Sequence, residues 1–149
     1  MNKVLKLLLK YSILLSYGGF LYVCIELLFR GRSDVTMMFA GAISFVCIGM
    51  LNEIIPWSIP LWIQSLIGGF LVVTPIEFIF GIIFNSNLNI WDYSNQPFNL
   101  YGQVCLLFSI LWCFVSIIAI ILDDYLRYWF FDEEKPHYSL GRKRNEMFI

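Results

Sequence analysis

The sequence predicts an all-α membrane protein with four transmembrane helices and both termini on the cytoplasmic side, and three observations carry that prediction. First, 59% of the 149 residues are hydrophobic and only 14% are charged, against roughly 45–50% and about 25% in soluble domains. A soluble domain of this size buries only about 68–70% of the surface its unfolded chain exposes, so this composition would leave large apolar patches in water. Second, four apolar stretches approach the roughly twenty residues that cross a bilayer core as a helix. Third, the scarce cations gather beside particular stretches. Ten Lys and Arg against eleven Asp and Glu also remove the basic face that a nucleic-acid partner would need.

The whole chain, residues 1–149, reads as one transmembrane domain. Its first helix covers about Leu7–Phe29. Basic residues precede it as in a signal peptide, but the run is too long for a typical signal h-region, carries Glu26 and ends without a small-residue cleavage site. It is expected to stay uncleaved. The second, about Thr36–Ile55, holds Ala40, Gly41, Ala42, Ser44 and Gly49, small residues that let backbones approach, so it is expected to pack most tightly inside the bundle. The third covers Leu61–Phe84 and the fourth Tyr101–Leu122, with an outer loop over 85–100 and a tail over 127–149.

Cytoplasmic flanks collect Lys and Arg. Lys3, Lys6 and Lys10 precede helix one, and Arg127, Lys135, Arg142, Lys143 and Arg144 follow helix four, whereas only Arg30 and Arg32 lie between helices one and two. An even number of spans puts both rich clusters in the cytoplasm. The tail's Arg142-Lys143-Arg144 is able to lie on an anionic leaflet. Cys24, Cys47, Cys105 and Cys113 fall inside predicted spans without CxxC spacing and read as small hydrophobes.

Helices one and three share a pattern. Gly18-Gly19-Phe20-Leu21 matches Gly68-Gly69-Phe70-Leu71, and with one extra residue in each copy Ile25-Glu26 aligns with Ile76-Glu77, giving nine identities in thirteen positions. The pattern predicts a duplicated two-helix hairpin that places Glu26 and Glu77 at one end of the bundle; chance similarity of apolar helices is the alternative.

A charge at the bilayer centre costs at least roughly 2.5–3.5 kcal/mol, which makes an intramembrane carboxylate a functional candidate. Glu77 lies seven residues before the end of helix three, roughly 10 Å below the boundary at 1.5 Å per residue. Its own helix offers no cation, so its partner is Arg30, Arg32, a proton or a bound cation. Pro75 removes a backbone donor beside it and is expected to kink the helix and free a carbonyl. Glu26 has Arg30 at i+4, the spacing of a self-neutralising pair. Glu53, Asp123, Asp124 and Arg127 read as exposed anchors at helix ends, Asp123 with Arg127 as a surface pair.

The nineteen residues Asn85–Gln103 are too long and too aromatic for an ordinary disordered connection. Trp91, Tyr93, Phe98 and Tyr101 suit an interfacial aromatic belt; alternatively the segment is a lid over the carboxylates. The candidate binding residues are therefore Glu26, Arg30, Glu77, Trp91, Asp92, Tyr93, Asn99 and Gln103, with no catalytic or metal site and no cofactor expected.

Glu26-Leu-Leu-Phe-Arg-Gly31, Leu51-Asn-Glu53, Ile76-Glu-Phe-Ile-Phe-Gly81, the run from Trp91-Asp-Tyr-Ser to Gln103, and Leu122-Asp-Asp-Tyr-Leu-Arg127 resemble the ABC-transporter type IV family over about Tyr17–Tyr138. The resemblance implies a bacterial cell-membrane transport component of the permease type. A separate ATPase subunit would then be a partner beside the lipid bilayer, and a homo-oligomer is expected because four helices enclose little interior. The Pro56–Pro60 turn is too short for a coupling helix, and no GxxxxGK[ST] loop is present, so the chain does not hydrolyse ATP alone. Two other functions stay open: a small enzyme acting on a lipid or lipid-linked group, and an accessory subunit. With His137 as the sole histidine, intramembrane His-metal and Ser/His or Cys/His chemistry are excluded.

Overall fold

The computed structural model describes residues 2–138; the Arg142-Lys143-Arg144 cluster expected to touch the membrane lies outside the described residues. Helix α1 runs over Lys3–Arg30 and α2 over Val35–Gly49; α3 is a single turn, Leu51–Ile54. Helix α4 spans Leu61–Phe84, and α5 spans Leu106–Phe131 after a short antiparallel pair, β1 (Asn99–Leu100) and β2 (Val104–Cys105). Three of these helices, α1, α4 and α5, are long and apolar enough to cross a membrane, and α2 is a shorter apolar one. The expected count of four holds.

Local chemistry sets the ends. Asn2 and Asp34 cap α1 and α2 by accepting from Val4 and Thr36 backbone N–H groups, filling donors that a helix start leaves open. Gly31 closes α1 in the left-handed region at φ 68°, where glycine pays no steric penalty. Helix α2 stops short of the expected Ile55. At 15 residues it is about 22 Å long, less than the roughly 30 Å hydrocarbon core, and the turn of α3 completes the path before Pro56.

Helix α4 is not uniform. Its middle, Ile67–Val73, widens into a π-helical segment immediately before Pro75. A proline ring clashes with the carbonyl four residues back in an α-helix, and the wider turn relieves that clash. The Gly69 carbonyl accepts from the Thr74 backbone and from Thr74 Oγ1 at 2.7 Å.

Helix α1 packs along α2, while α4 packs on α5 through its π segment, and α2 also touches both α4 and α5. Buried Ile48, Leu61, Trp112 and Ile120 form one core, and Leu14, Phe45 and Leu126 another. Most of α1 faces outward, including Phe20, Leu28 and Phe29. Apolar side chains on the outside suit lipid.

Two boundaries are corrected. Helix α5 starts at Leu106 rather than Tyr101, because Tyr101 and Gly102 both have positive φ and form a tight turn closed by Gln103 N–H to the Leu100 carbonyl. This also places Cys105 in β2 rather than in a span. At its other end α5 continues to Phe131, not Leu122. Asp123, Asp124 and Arg127 are consequently buried, at 0%, 5% and 3% exposure, and are not surface anchors. Charge does not mark the boundary here, because an i,i+4 ion pair inside a helix can be buried while apolar Leu126, Tyr128 and Trp129 carry the helix onward.

Candidate functional site

Glu77 sits two residues after Pro75, in the α-helical part of α4, and is 4% exposed. Its two oxygens accept from different elements: Oε1 from the Tyr93 hydroxyl at 3.0 Å and Oε2 from Trp112 Nε1 at 3.0 Å. Tyr93 comes from the long loop and stacks on Phe108 with ring centroids 4.6 Å apart. Trp112 comes from α5 and stacks on Tyr22 of α1 at 5.5 Å. A buried carboxylate is thereby held by two neutral donors, with no cation among the described residues bonded to it. Burial, reinforced by the charge of Glu77, holds the Tyr93 hydroxyl well above its ordinary pKa, so it stays a donor.

Glu26, on α1, is 8% exposed. Arg30 Nη1 donates to it at 3.0 Å, and Arg30 Nη2 donates to the Ile90 carbonyl at 2.8 Å. Arg32 approaches the same carbonyl at 3.5 Å. Tyr22 turns its hydroxyl toward Glu26. The expected i,i+4 pair therefore forms, and it also clamps the loop. Beside it opens a cavity of about 110 Å³ walled by Glu26, Arg30, Arg32, Asp34, Asn89 and Ile90. Glu77 lies outside that wall.

The loop folds back because three side chains tie it from within. Fully buried Asn85, at the end of α4, accepts from the backbone of Ile90 at 2.8 Å and donates to the Trp91 carbonyl at 2.7 Å and to Gln103 Oε1 at 3.0 Å. Gln103 Nε2 returns a bond to the Asn85 carbonyl at 2.9 Å, and Trp91 Nε1 donates to the Gln103 carbonyl at 2.8 Å. Every member is satisfied, which is the condition for a buried polar network to rigidify its surroundings. The segment folds back so that Tyr93 reaches Glu77 and the Ile90 carbonyl accepts from Arg30, while Phe98 and Tyr101 of the expected aromatic belt stay exposed.

Of the eight candidate residues, the structure brings Glu26, Arg30, Glu77 and Tyr93 to one end of the bundle, with Trp91 and Gln103 buried as supports of the loop. Asp92 and Asn99 point elsewhere. Asp92 is exposed and accepts from the Ser94 backbone at 2.8 Å, hydrogen bonding that lowers its pKa. Asn99 is exposed and bonds to Gln96, Ser94 and Gly102 of its own loop. Three contributors escape a reading of charges alone: Trp112, Tyr22 and Asn85. Trp112 carried a usable signal. A tryptophan six residues inside an apolar helix is away from the interface where tryptophans gather, so its N–H needs a buried acceptor.

A bundle of apolar helices with a buried carboxylate pair under a folded-back loop defines a polytopic membrane protein with an interior polar site. The family model described as Putative ABC-transporter type IV matches residues 6–135, and the chain belongs to that family. No curated protein and no solved structure matches the chain.

Proposed function

We propose that the chain is the membrane subunit of an ATP-driven transporter, a permease of the bacterial cell membrane with both termini in the cytoplasm. Its binding site is the outer end of the bundle, where Glu26, Arg30 and Glu77 lie beneath the loop that runs from Trp91 to Gln103. The observation that carries this reading is a charge deficit. Two buried carboxylates stand at this end, and the guanidinium of Arg30 bonds only one of them. Leaving a buried charge without a counter-charge costs several kcal/mol, so the site favours taking up a cation or a proton.

Tyr93 makes the lid part of that site, since opening the loop would remove one of the two donors on Glu77 and expose it. Asp92 and Asn99 shape the loop. The pairing of α1 with α2 and of α4 with α5, with Glu26 and Glu77 at one end, supports the duplicated hairpin. The family description supports an ATP-hydrolysing partner, and a homo-oligomer would supply the enclosed path that four helices lack.

The test is purification from the native membrane in gentle detergent, followed by reconstitution. An ATP-hydrolysing subunit should co-purify, and Glu77→Gln should leave the complex intact while lowering its ATP turnover by roughly tenfold, about 1.4 kcal/mol in the barrier. An intact complex with unchanged turnover, or one without an ATPase, would overturn the reading.

A further inference from the structure

At the end of α1 two guanidinium groups converge on one oxygen. Arg30 Nη2 donates to the Ile90 carbonyl at 2.8 Å, and Arg32 Nη2 reaches the same oxygen at 3.5 Å. Two like charges drawn to a single neutral acceptor repel one another. Glu26 answers the charge of Arg30 at 3.0 Å, whereas Arg32 pairs with no carboxylate among the described residues.

The cavity of about 110 Å³ beside the Glu26–Arg30 pair opens at this point, and Arg30, Arg32, Ser33 and Asn89 all belong to its wall. The Ser33 hydroxyl and the Asn89 side-chain amide make no hydrogen bond among the described residues. The two acids of the wall, by contrast, are already engaged. Glu26 accepts from Arg30 and faces the Tyr22 hydroxyl, and Asp34 accepts from the Thr36 N–H at 2.8 Å at the start of α2. The wall therefore offers open donors and one unanswered positive charge, and together these suit an acceptor that is itself anionic.

We infer that the cavity binds a phosphate group, held by the guanidinium of Arg32 with Arg30, Ser33 and Asn89 as further donors. A guanidinium presents its N–H groups in a flat fork that matches two phosphate oxygens, and a tetrahedral oxyanion has oxygens left for separate donors. The depth of the cavity agrees with such a group. Leu28 and Phe29, just before Arg30, are 84% and 85% exposed, so the apolar surface of α1 ends at Arg30, the level where hydrocarbon gives way to headgroups. The phosphate comes from a phospholipid headgroup or from a soluble phosphate ester. Glu77 lies outside this wall, so the phosphate and the cation or proton drawn to Glu77 occupy different places. The inference rests on the transport reading only in making the phosphate compound the cargo.

The experiment is calorimetric titration of the full-length protein in detergent with phosphatidylglycerol in mixed micelles, with its deacylated headgroup glycerophosphoglycerol, and with diacylglycerol, which lacks the phosphate. Phosphatidylglycerol should bind saturably and diacylglycerol at least about tenfold more weakly. Arg32→Gln should weaken the phospholipid by about tenfold, and Arg32→Lys, which keeps the charge but not the fork, by less. Lys6→Gln, which removes an exposed cation near the other end of α1, should leave binding unchanged. Arg32 and Lys6 are both exposed, so these variants should fold, and circular dichroism checks it. A headgroup that binds as tightly as the lipid identifies a soluble ester as the source, whereas weaker or absent headgroup binding beside a bound lipid identifies the bilayer. Absent binding of both phosphate compounds, equal binding of diacylglycerol, binding unchanged in Arg32→Gln, or an equal loss in Lys6→Gln would overturn the assignment. No ATPase enters the titration, so its failure is separable from a failure of the transport reading.

Discussion

Glu77 is held by the hydroxyl of Tyr93 from the loop and the indole of Trp112 from α5, so removing the Tyr93 hydroxyl acts first on the loop. A hydrogen bond between elements inside a membrane protein is worth about 0.6–1.7 kcal/mol, which corresponds to a roughly three- to twentyfold shift in an opening equilibrium. Tyr93→Phe should therefore speed the reaction of Cys105, buried at 2% in β2 where the loop joins α5, with a water-soluble thiol reagent by that factor, in a background where Cys24, Cys47 and Cys113 are serine. An unchanged rate would mean that the Asn85, Trp91 and Gln103 knot alone fixes the loop. At the other end, Asp123→Asn takes away the carboxylate at 2.7 Å from Arg127. Breaking one side of a buried pair costs about 3–5 kcal/mol, reduced here because Arg127 keeps Glu53 at 3.2 Å. The drop should appear in the denaturant midpoint, and the double variant Asp123→Asn with Arg127→Gln should recover part of it. Tyr138, whose hydroxyl donates to Asp124, gives this cluster a pH signature. Burial, and then the charge of Asp124, raises its hydroxyl above the ordinary 10.0. The folded chain keeps a proton that the unfolded chain releases above about pH 10, so this contribution is whole below that pH and is lost as pH rises further.

Between elements, the closest approach is set by glycine. A side chain at Gly41 of α2 would run into the Cβ and ring of Tyr22 on α1, whereas one at Gly19 would meet the flexible Met38 at 3.2 Å. Gly41→Ala should thus cost about 1–3 kcal/mol of overpacking, and Gly19→Ala distinctly less, read as thermal midpoints in the same detergent. Because Tyr22 backs both Trp112 and Glu26, the Gly41 substitution should also raise Cys105 labelling. The small-residue content of α2 made its tight packing legible from sequence. Other features of the elements were not. Pro75 announced a local irregularity, but hydrophobic periodicity does not distinguish an α-turn from a π-turn, and the Thr74 hydroxyl that takes the Gly69 carbonyl depends on backbone geometry. The end of α5 was hidden for a related reason. Asp123, Asp124 and Arg127 look like a solvated helix terminus in one dimension, and only the arrival of Glu53, Glu133 and Tyr138 from elsewhere in the chain makes them interior.

At the scale of the molecule, the number of helices could be read from apolar length, since it follows from the cost of putting charge in hydrocarbon. The knot under the loop could not, because Asn85 and Gln103 are eighteen residues apart and nothing local says that amides at that distance will bond. The proposed orientation of the whole chain has a measurable consequence. In sequence, Lys3, Lys6 and Lys10 lie in the first turns of α1, Arg127 lies near the end of α5 and four more cations follow it, against Arg30 and Arg32 between α1 and α2. In the proposed orientation the bias of Lys and Arg toward the cytoplasm puts the loop outside and the Arg127 cluster on the cytoplasmic side. In a cysteine-free background, Asn95→Cys in the exposed loop should be labelled by an impermeant maleimide on intact cells, and Lys135→Cys beyond α5 only after permeabilisation. Labelling in the opposite order would invert the molecule, placing the Glu77 site in the cytoplasm and the Arg127 cluster outside. Labelling of both positions from the same side would mean that α5, the one helix between them, does not cross.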